Sequence, residues 1–128
     1  VATTRVPKFT VIVRKSYGAG YYVMCGRAYE PDLLVAWPGG EISVMGAEGM
    51  VGIFAKKALD AAENPIEMRK QMASMIQPYI NIYKVAGWGF VDDVVDPRDT
   101  RAVLHKALVA TQGKTVERPW RRRGVVPV

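Results

Sequence analysis

The sequence predicts a single α/β unit over residues 1–128. Short segments rich in β-branched residues alternate with longer segments in which apolar residues recur every three or four positions. With 49% hydrophobic residues and a mean hydropathy of zero, 128 residues suffice for one ordinary core. No internal repeat or linker divides the chain, so one unit is the simplest description.

Four strands are expected where β-branched residues cluster between turn residues. The first follows Pro7 and stops at the polar sequence Arg14-Lys15-Ser16. The second and third are separated by Pro38-Gly39-Gly40, which is strong turn chemistry. The predicted strands cover residues 8–13, 33–37, 41–45 and 90–95.

Four helices are expected between these strands. A short helix follows Gly20 and ends at Gly26, and a second covers residues 50–62 with Met50, Ile53, Phe54 and Ala58 on one face. The third begins at Pro65 behind an Asn64 cap, and Pro78 is expected to kink it or mark its end. Its apolar stripe comprises Met68, Met72, Met75, Ile76, Tyr79, Ile80 and Tyr83. The last starts at Asp96-Pro97 and ends near Gly113, with Leu104, Ala107, Leu108 and Thr111 facing one way.

Composition excludes several classes of protein. No apolar run approaches the roughly 20 residues that span a bilayer, so no membrane partner is expected. One cysteine, Cys25, permits no internal disulfide or cysteine-based zinc site, and we predict a cytoplasmic location and no metal. The chain starts at Val1 without an initiator Met or a secretory signal, so we expect a fragment.

The net charge of +6 favours anionic partners and is concentrated in a basic C-terminal tail, residues 114–128. Arg118 and Arg121 to Arg123 lie there beside Trp120, a combination that suits phosphate or single-stranded nucleic acid. One short cluster does not make a nucleic-acid fold, and the tail lacks periodicity. An extended or mobile arm is the preferred interpretation.

The turn Tyr17-Gly18-Ala19-Gly20-Tyr21 lies between a predicted strand and a helix. Such a junction leaves backbone N–H groups unpaired and pointing to one place, where they favour negative charge. The sequence is neither a P-loop nor a dinucleotide fingerprint, because it lacks Gly-Lys-Ser/Thr and Gly-x-Gly-x-x-Gly. Alone, it fits a purely structural turn better than an oxyanion site.

Several segments resemble, in the same order, the carboxyltransferase β subunits of biotin-dependent acyl-CoA carboxylases, such as propionyl-CoA carboxylase. They are Arg14 to Tyr21 with Val23-Met24, Ala36-Trp37-Pro38, Glu41 to Ala47, Gly89 to Arg101, and the closing Gly124-Val125-Val126-Pro127-Val128. The resemblance implies a crotonase-like fold, of which this chain is the C-terminal part of the second domain.

The resemblance also implies a site and its partners. Ala19 and Gly20 would give backbone amides to the biotin oxyanion hole, with Gly18 permitting the turn and Tyr17, Tyr21 and Tyr22 at the substrate pocket. Carboxyl transfer from carboxybiotin on a carrier to the α-carbon of an acyl-CoA would pass through enolates held by such amides. The implied partners are the acyl-CoA, biotin carboxyl carrier and biotin carboxylase components, and the N-terminal carboxyltransferase domain of a neighbouring subunit in a homo-oligomer.

Two departures and two alternatives stand beside this hypothesis. The family often has Gly-Gly-Ala where this chain has Gly18-Ala19-Gly20, and Tyr22 stands where propionyl-type members have Asp. A sodium-pumping acyl-CoA decarboxylase runs the same transfer in reverse, and a nucleic-acid module using the basic tail is the alternative from another class. In the family, the amides that bind the thioester belong to the N-terminal half of a neighbouring subunit, outside the part that this chain resembles. The chain alone is therefore predicted to be inactive and to bind no cofactor by itself.

Other reactive side chains have simpler explanations. His105 lies mid-helix without a partner nearby in sequence and is expected in solvent, and Cys25 is expected in the core. Asp92 and Asp93 are adjacent in a predicted strand and would point to opposite faces. The methionine and tyrosine stripe is assigned to packing rather than to an acyl pocket.

Overall fold

The structure, a computed structural model, describes residues 1–2 and 4–117. The arginine cluster of the predicted tail lies outside them. The described strands are β1 (Phe9–Ile12), β2 (Lys15–Tyr17), β3 (Leu33–Ala36), β4 (Glu41–Ser43) and β5 (Asp93–Val94). The helices are α1 (Ala19–Val23), α2 (Ala47–Phe54), α3 (Lys56–Asp60), α4 (Pro65–Ile80), α5 (Ile82–Ala86) and α6 (Thr100–Thr111), with 3-10 turns at Arg27–Tyr29 and Pro97–Asp99.

The strands form two parallel sheets. β3 lies between β1 and β5 in a three-stranded sheet, and β2 pairs with β4 in a two-stranded sheet. The prediction ended the first strand at Arg14 and missed β2. The chain leaves the first sheet and enters the second at Lys15, which pairs with Glu41. No residue of β2 is buried, so β2 needs no apolar pattern and gives no apolar signal.

The three-stranded sheet carries the first core cluster. Leu34, Val35 and Ala36 of β3 are 0% exposed, since both faces of this central strand are covered. Ile12, Tyr21, Leu34, Ala36, Ile82 and Val91 form the cluster. The apolar sequence of the predicted second strand therefore reflects burial on both faces. The predicted last strand shortens to the two residues of β5.

A second core cluster joins α2, α3 and α4 through Ala47, Val51, Leu59, Ala73 and Ile80. The predicted helix over residues 50–62 begins earlier and breaks at Ala55 into α2 and α3. Its predicted apolar face is only partly correct, because Met50 packs against this cluster whereas Ile53 and Phe54 are 61% and 82% exposed and Ala58 is also exposed. The small Ala47 and the nearby Val51 pack against α4 instead.

The predicted start of the third helix is confirmed. The Asn64 side chain accepts a hydrogen bond from the Glu67 amide, and Pro65 is the first residue of α4. The helix continues through Pro78 to Ile80, and α5 starts after Asn81. Four of the seven residues of the predicted stripe face the second core. Met68, Met72, Ile76 and Ile80 pack there, whereas Met75, Tyr79 and Tyr83 are exposed.

The C-terminal helix begins as predicted, with the Asp96 carboxylate accepting from the Arg98 amide at 2.9 Å. A 3-10 turn precedes α6, which contains no buried residue. Of its predicted face, Leu104, Ala107 and Thr111 are half-buried and Leu108 is 53% exposed. Within residues 1–2 and 4–117, no helix combines the length and the hydropathy required to cross a bilayer.

Candidate functional site

Gly18 sets the shape of the predicted turn. It links β2 to α1 with φ +50° and ψ −127°, a conformation that residues with a side chain rarely adopt. A Cβ at this position would lie 2.7 Å from the Val44 carbonyl oxygen. Both the torsion angle and the close backbone contact therefore require glycine here.

Two neighbouring amides of the turn are left free. The Gly18 amide donates to the Ser43 carbonyl at 2.9 Å, and the Tyr21 amide donates to the Gly18 carbonyl at 3.2 Å. Within the described part of the chain, the amides of Ala19 and Gly20 donate to no acceptor, and both residues are exposed. Two adjacent donors at the start of a helix can stabilise an oxyanion.

Tyr21 anchors α1 to the first core. Its buried hydroxyl accepts from the Arg27 amide at 3.0 Å and donates to the Phe90 carbonyl at 3.2 Å. Arg27 in turn pairs with Asp92 at 2.6 Å, and the Asp92 carboxylate also accepts from the Leu34 amide at 2.7 Å. The C-terminal side of the turn is thereby tied to the central strand.

Tyr22 lies at a mostly apolar cavity of about 380 Å³ beside the turn. Its side chain is 52% exposed, and its ring meets the Tyr21 ring edge to face, with centroids 5.7 Å apart. The cavity is also lined by Val44, Trp88 and Phe90, which the sequence did not indicate, and by Tyr79 of the stripe that was assigned to packing. They come from three separate stretches of chain, so only the fold reveals them.

Tyr17 faces a different direction from Tyr22. Its hydroxyl donates to the Glu41 carboxylate, and the Gln77 side chain donates to the other Glu41 oxygen at 2.7 Å. Burial, the hydrogen bond to Glu41 and the charge of Glu41 raise the pKa of Tyr17 to about 12. Tyr17 lines a recess of about 420 Å³ with Gly20 and Tyr21. The three predicted tyrosines thus flank one turn but line two cavities.

Glu41 and Gln77 were not predicted as site residues. Glu41 neighbours the turn because β4 runs parallel to β2, with Ser43 opposite Tyr17. Gln77 reaches Glu41 from α4. The spacing of Tyr17 and Glu41 in sequence contains no sign of their contact, and the pairing of β2 with β4 would have been the only usable signal.

The remaining reactive side chains follow their simpler explanations. Cys25 is buried, and His105 is exposed on α6. Asp92 and Asp93 have different partners: Asp92 binds Arg27 and the Leu34 amide, and Asp93 accepts from the Val94 amide. None of these groups joins the turn.

Three curated relatives are similar over almost the whole chain. The methylmalonyl-CoA carboxyltransferase 12S subunit of Propionibacterium freudenreichii subsp. shermanii is 42% identical over 95% of this chain and 24% of its own length. A putative propionyl-CoA carboxylase beta chain of Bacillus subtilis (strain 168) is 38% identical over 99% of this chain and 25% of its own length. The methylmalonyl-CoA decarboxylase subunit alpha of Propionigenium modestum is 36% identical, covering 96% and 24%.

A solved structure gives the same result. A transcarboxylase 12S crystal structure, described as a hexamer with methylmalonyl-coenzyme A and methylmalonic acid bound, matches with a TM-score of 0.86 and 41% identity. The match covers 99% of this chain and 25% of that one, so the chain spans about a quarter of the length of its relatives. The predicted resemblance and the crotonase-like α/β fold class are confirmed.

The family model described as the carboxyl transferase domain matches residues 1–126. This match covers the glycine turn with its two free amides, the adjacent cavity and every described helix and strand. The chain therefore belongs to the carboxyl transferase domain family.

Proposed function

We propose that this chain is part of the carboxyltransferase component of an acyl-CoA carboxylase, which moves a carboxyl group from carboxybiotin to the α-carbon of an acyl-CoA. One observation carries the proposal. In a chain of the carboxyl transferase family, Ala19 and Gly20 present two adjacent free amides immediately after Gly18, which cannot be exchanged without strain. Such donors suit an oxygen that gains negative charge during the reaction.

The residues around the turn are compatible with a bound biotin group. A Cβ built on Gly20 meets no atom within 4 Å, so a ligand can approach these amides closely. When bound, carboxybiotin supplies the carboxyl group that is transferred. Ala19 and Gly20 would hold its carbonyl oxygen through their N–H groups, because the hydroxyls of Tyr17 and Tyr21 are already engaged within the chain. In this proposal the main chain, not an acidic or basic side chain, stabilises the charge.

The apolar cavity beside the turn is the proposed place for the acyl group of the substrate. It contacts Gly18 and is lined by Tyr22 together with Tyr79, Trp88 and Phe90. An apolar wall strengthens hydrogen bonds at its edge once a bound ligand displaces water from it. Tyr22 is bulky and half-exposed, so its side chain limits the space available at the mouth of the cavity.

The complete enzyme requires parts outside this chain. We propose that the acyl-CoA thioester binds to the N-terminal carboxyltransferase domain of a neighbouring subunit in a homo-oligomer. Biotin carboxyl carrier and biotin carboxylase components would complete the system, in the cytoplasm and without a membrane or nucleic-acid partner. The 128 residues alone are then inactive, and carboxyl transfer by the isolated chain would refute this assignment.

The main experiment removes one donor at a time from the assembled enzyme. Proline lacks an N–H, and Ala19 is the first residue of α1, where proline is well tolerated in helices. Ala19→Pro and Gly20→Pro are expected to lower kcat by about 10²–10³-fold, as loss of an oxyanion donor does. Ala19→Gly keeps the N–H and is the matched control. Transfer of labelled carboxyl groups to propionyl-CoA is the measurement, and full activity in both proline variants would place the site elsewhere.

A biotin-dependent, sodium-pumping acyl-CoA decarboxylase is the second candidate. Its support is the similarity to the Propionigenium decarboxylase subunit, whose 36% identity is close to the 38% of the Bacillus carboxylase chain, so identity does not separate the two functions. The two functions use the same transfer in opposite directions. Sodium-dependent decarboxylation of methylmalonyl-CoA by the protein together with copurifying membrane subunits would select the decarboxylase.

A nucleic-acid-binding module remains the hypothesis from another class. The arginines on which it rests, Arg118 and Arg121 to Arg123, lie outside the described residues. Binding that weakens steeply with salt and disappears when these arginines are replaced would support it. Carboxyl transfer without any such binding would eliminate it.

A further inference from the structure

A polar cluster of Tyr17, Glu41 and Gln77 connects the turn to two other elements. Tyr17 ends β2, Glu41 begins β4, and Gln77 lies in α4. The Tyr17 hydroxyl donates to one carboxylate oxygen of Glu41 and Gln77 donates to the other at 2.7 Å. Both oxygens of this carboxylate therefore accept a hydrogen bond.

The backbone of Glu41 is held as firmly as its side chain. Its amide donates to the Arg14 carbonyl at 2.7 Å, and it forms an antiparallel bridge with Asn81. The acceptor for the Tyr17 hydroxyl is thus a fixed point between the sheet and α4. A charged carboxylate that is held in position makes a stronger and better oriented hydrogen bond than a neutral acceptor does.

The Tyr17 ring is also confined by backbone. A Cβ added to Gly46, the residue before α2, would lie 3.2 Å from Cε2 of this ring. The ring therefore packs closely against the Gly46 backbone while its hydroxyl reaches Glu41. The Tyr17 side chain is therefore restrained at its ring by Gly46 and at its hydroxyl by Glu41.

Tyr17 directly precedes the residue that aims the free amides. The Gly18 amide is tied to the Ser43 carbonyl, and Ser43 lies opposite Tyr17 in the sheet. The orientation of the Ala19 and Gly20 amides follows from the torsion angles at Tyr17 and Gly18. A displacement on the order of 1 Å at a donor costs about 10²-fold in rate, so rigidity at this position is chemically valuable.

We propose that Tyr17 is a positioning residue, whose hydrogen bond to the Gln77-supported carboxylate of Glu41 holds the amide turn in its productive orientation. This inference rests on the proposed function. Tyr17 touches no reacting atom in this account and acts only through the turn. The pKa of Tyr17, raised to about 12 by burial and by the hydrogen bond to Glu41, agrees with a hydroxyl that donates to a carboxylate.

The test compares Tyr17→Phe with Tyr29→Phe in the assembled enzyme. The Tyr29 hydroxyl makes no hydrogen bond within the described residues and lies outside the site, so the second variant makes the same chemical change away from the turn. We expect Tyr17→Phe to lower kcat about tenfold with KM for the acyl-CoA unchanged, and Tyr29→Phe to match the unaltered enzyme. A raised KM at unchanged kcat would indicate a direct substrate contact and overturn the proposal.

Glu41 variants distinguish positioning from simple loss of stability. Glu41→Ala is expected to resemble Tyr17→Phe, and the double variant to be no slower than either single one, because both remove the same bond. Glu41→Gln keeps an oxygen acceptor and should recover part of kcat. Losses of kcat that add in the double variant, or losses of kcat that merely parallel the loss of melting temperature, contradict the proposal.

If Tyr17→Phe fails to assemble, Glu41→Gln alone decides the test. Its kcat is then expected to lie between those of the unaltered enzyme and of Glu41→Ala. An inactive parent enzyme refutes the proposed function, whereas an active parent with a fully active Tyr17→Phe variant refutes only the positioning role.

Discussion

The two sheets of this molecule are built on different interactions. In the three-stranded sheet, β3 has three side chains that are 0% exposed and contribute by apolar burial. In the two-stranded sheet, neither β2 nor β4 has a buried residue, and directional bonds join them to each other and to α4. The candidate site lies at the end of the second sheet. The contrast indicates that burial makes the scaffold stable, whereas oriented polar bonds and one glycine with positive φ shape the site.

The largest expected effect comes from opening the three-stranded sheet. Leu34→Ala should lower the free energy of unfolding by about 2–5 kcal/mol, because it leaves a cavity at a fully buried position. Leu108→Ala on α6, where the side chain is 53% exposed, should change it by less than about 0.5 kcal/mol. Urea denaturation measures both. Equal losses of unfolding free energy would mean that burial does not explain the difference between the three-stranded sheet and α6.

The next largest effect on stability is expected at Gly18, where a residue with a side chain would be strained. Gly18→Ala should cost about 1–3 kcal/mol, since φ is +50° and the new Cβ meets the Val44 carbonyl at 2.7 Å. Gly20→Ala is the matched control in the same turn, because it has open space and a helical position. It should be neutral or stabilising by up to about 1 kcal/mol. Thermal unfolding of the two variants tests whether, within this turn, the requirement for glycine is specific to position 18.

A smaller effect is expected where α4 supports the two-stranded sheet. Gln77→Ala removes one exposed hydrogen bond to Glu41 and should cost no more than about 1 kcal/mol of stability. Ser74→Ala, one turn earlier on the same helix, removes a bond to its own helix at Gln71 and serves as the comparison. A loss from Gln77→Ala as large as that from Leu34→Ala would reverse the contrast between the sheets.

The smallest effect is confined to alkaline pH. The pKa of Tyr17 is raised from 10.0 to about 12, so its contribution to stability is complete below pH 10 and is lost as the pH rises towards 12. In that window the unfolded chain has released the Tyr17 proton while the folded chain retains it. Phenolate absorbance should show a late-titrating component that Tyr17→Phe removes and Tyr29→Phe retains. A late-titrating component of equal size in all three proteins would contradict the Tyr17–Glu41 bond.

Local chemistry explains which elements were predictable. Asn64 followed by Pro65, and Asp96 followed by Pro97, specify helix starts through groups only one to three residues away, and both starts are confirmed. The β-branched sequence of β3 predicts a strand because its burial on both faces leaves an uninterrupted apolar run. Of the predicted tail, the structure describes only residues 114–117, in which Lys114 pairs with Asp32.

The helix over residues 50–62 shows why periodicity was insufficient there. Met50, Ile53 and Phe54 recur at helical spacing, yet Ile53 and Phe54 face outward and the small Ala47 faces α4. Spacing identifies an apolar stripe but does not identify the surface that the stripe meets. This chain spans about a quarter of the length of its relatives, so an apolar face need not pack against another part of these 128 residues.

The sequence by itself determined the α/β class, the family and the identity of the glycine turn, because these depend on residue types at fixed, short spacing. Tertiary structure alone decided that the amides of Ala19 and Gly20 are free, that Tyr17 bonds to Glu41 while Tyr22 borders the apolar cavity, and that Gln77 supports the cluster. The physical reason is that a hydrogen bond depends on distance in space. Tyr17, Glu41 and Gln77 are separated along the chain and meet only because β2 pairs with β4 beneath α4.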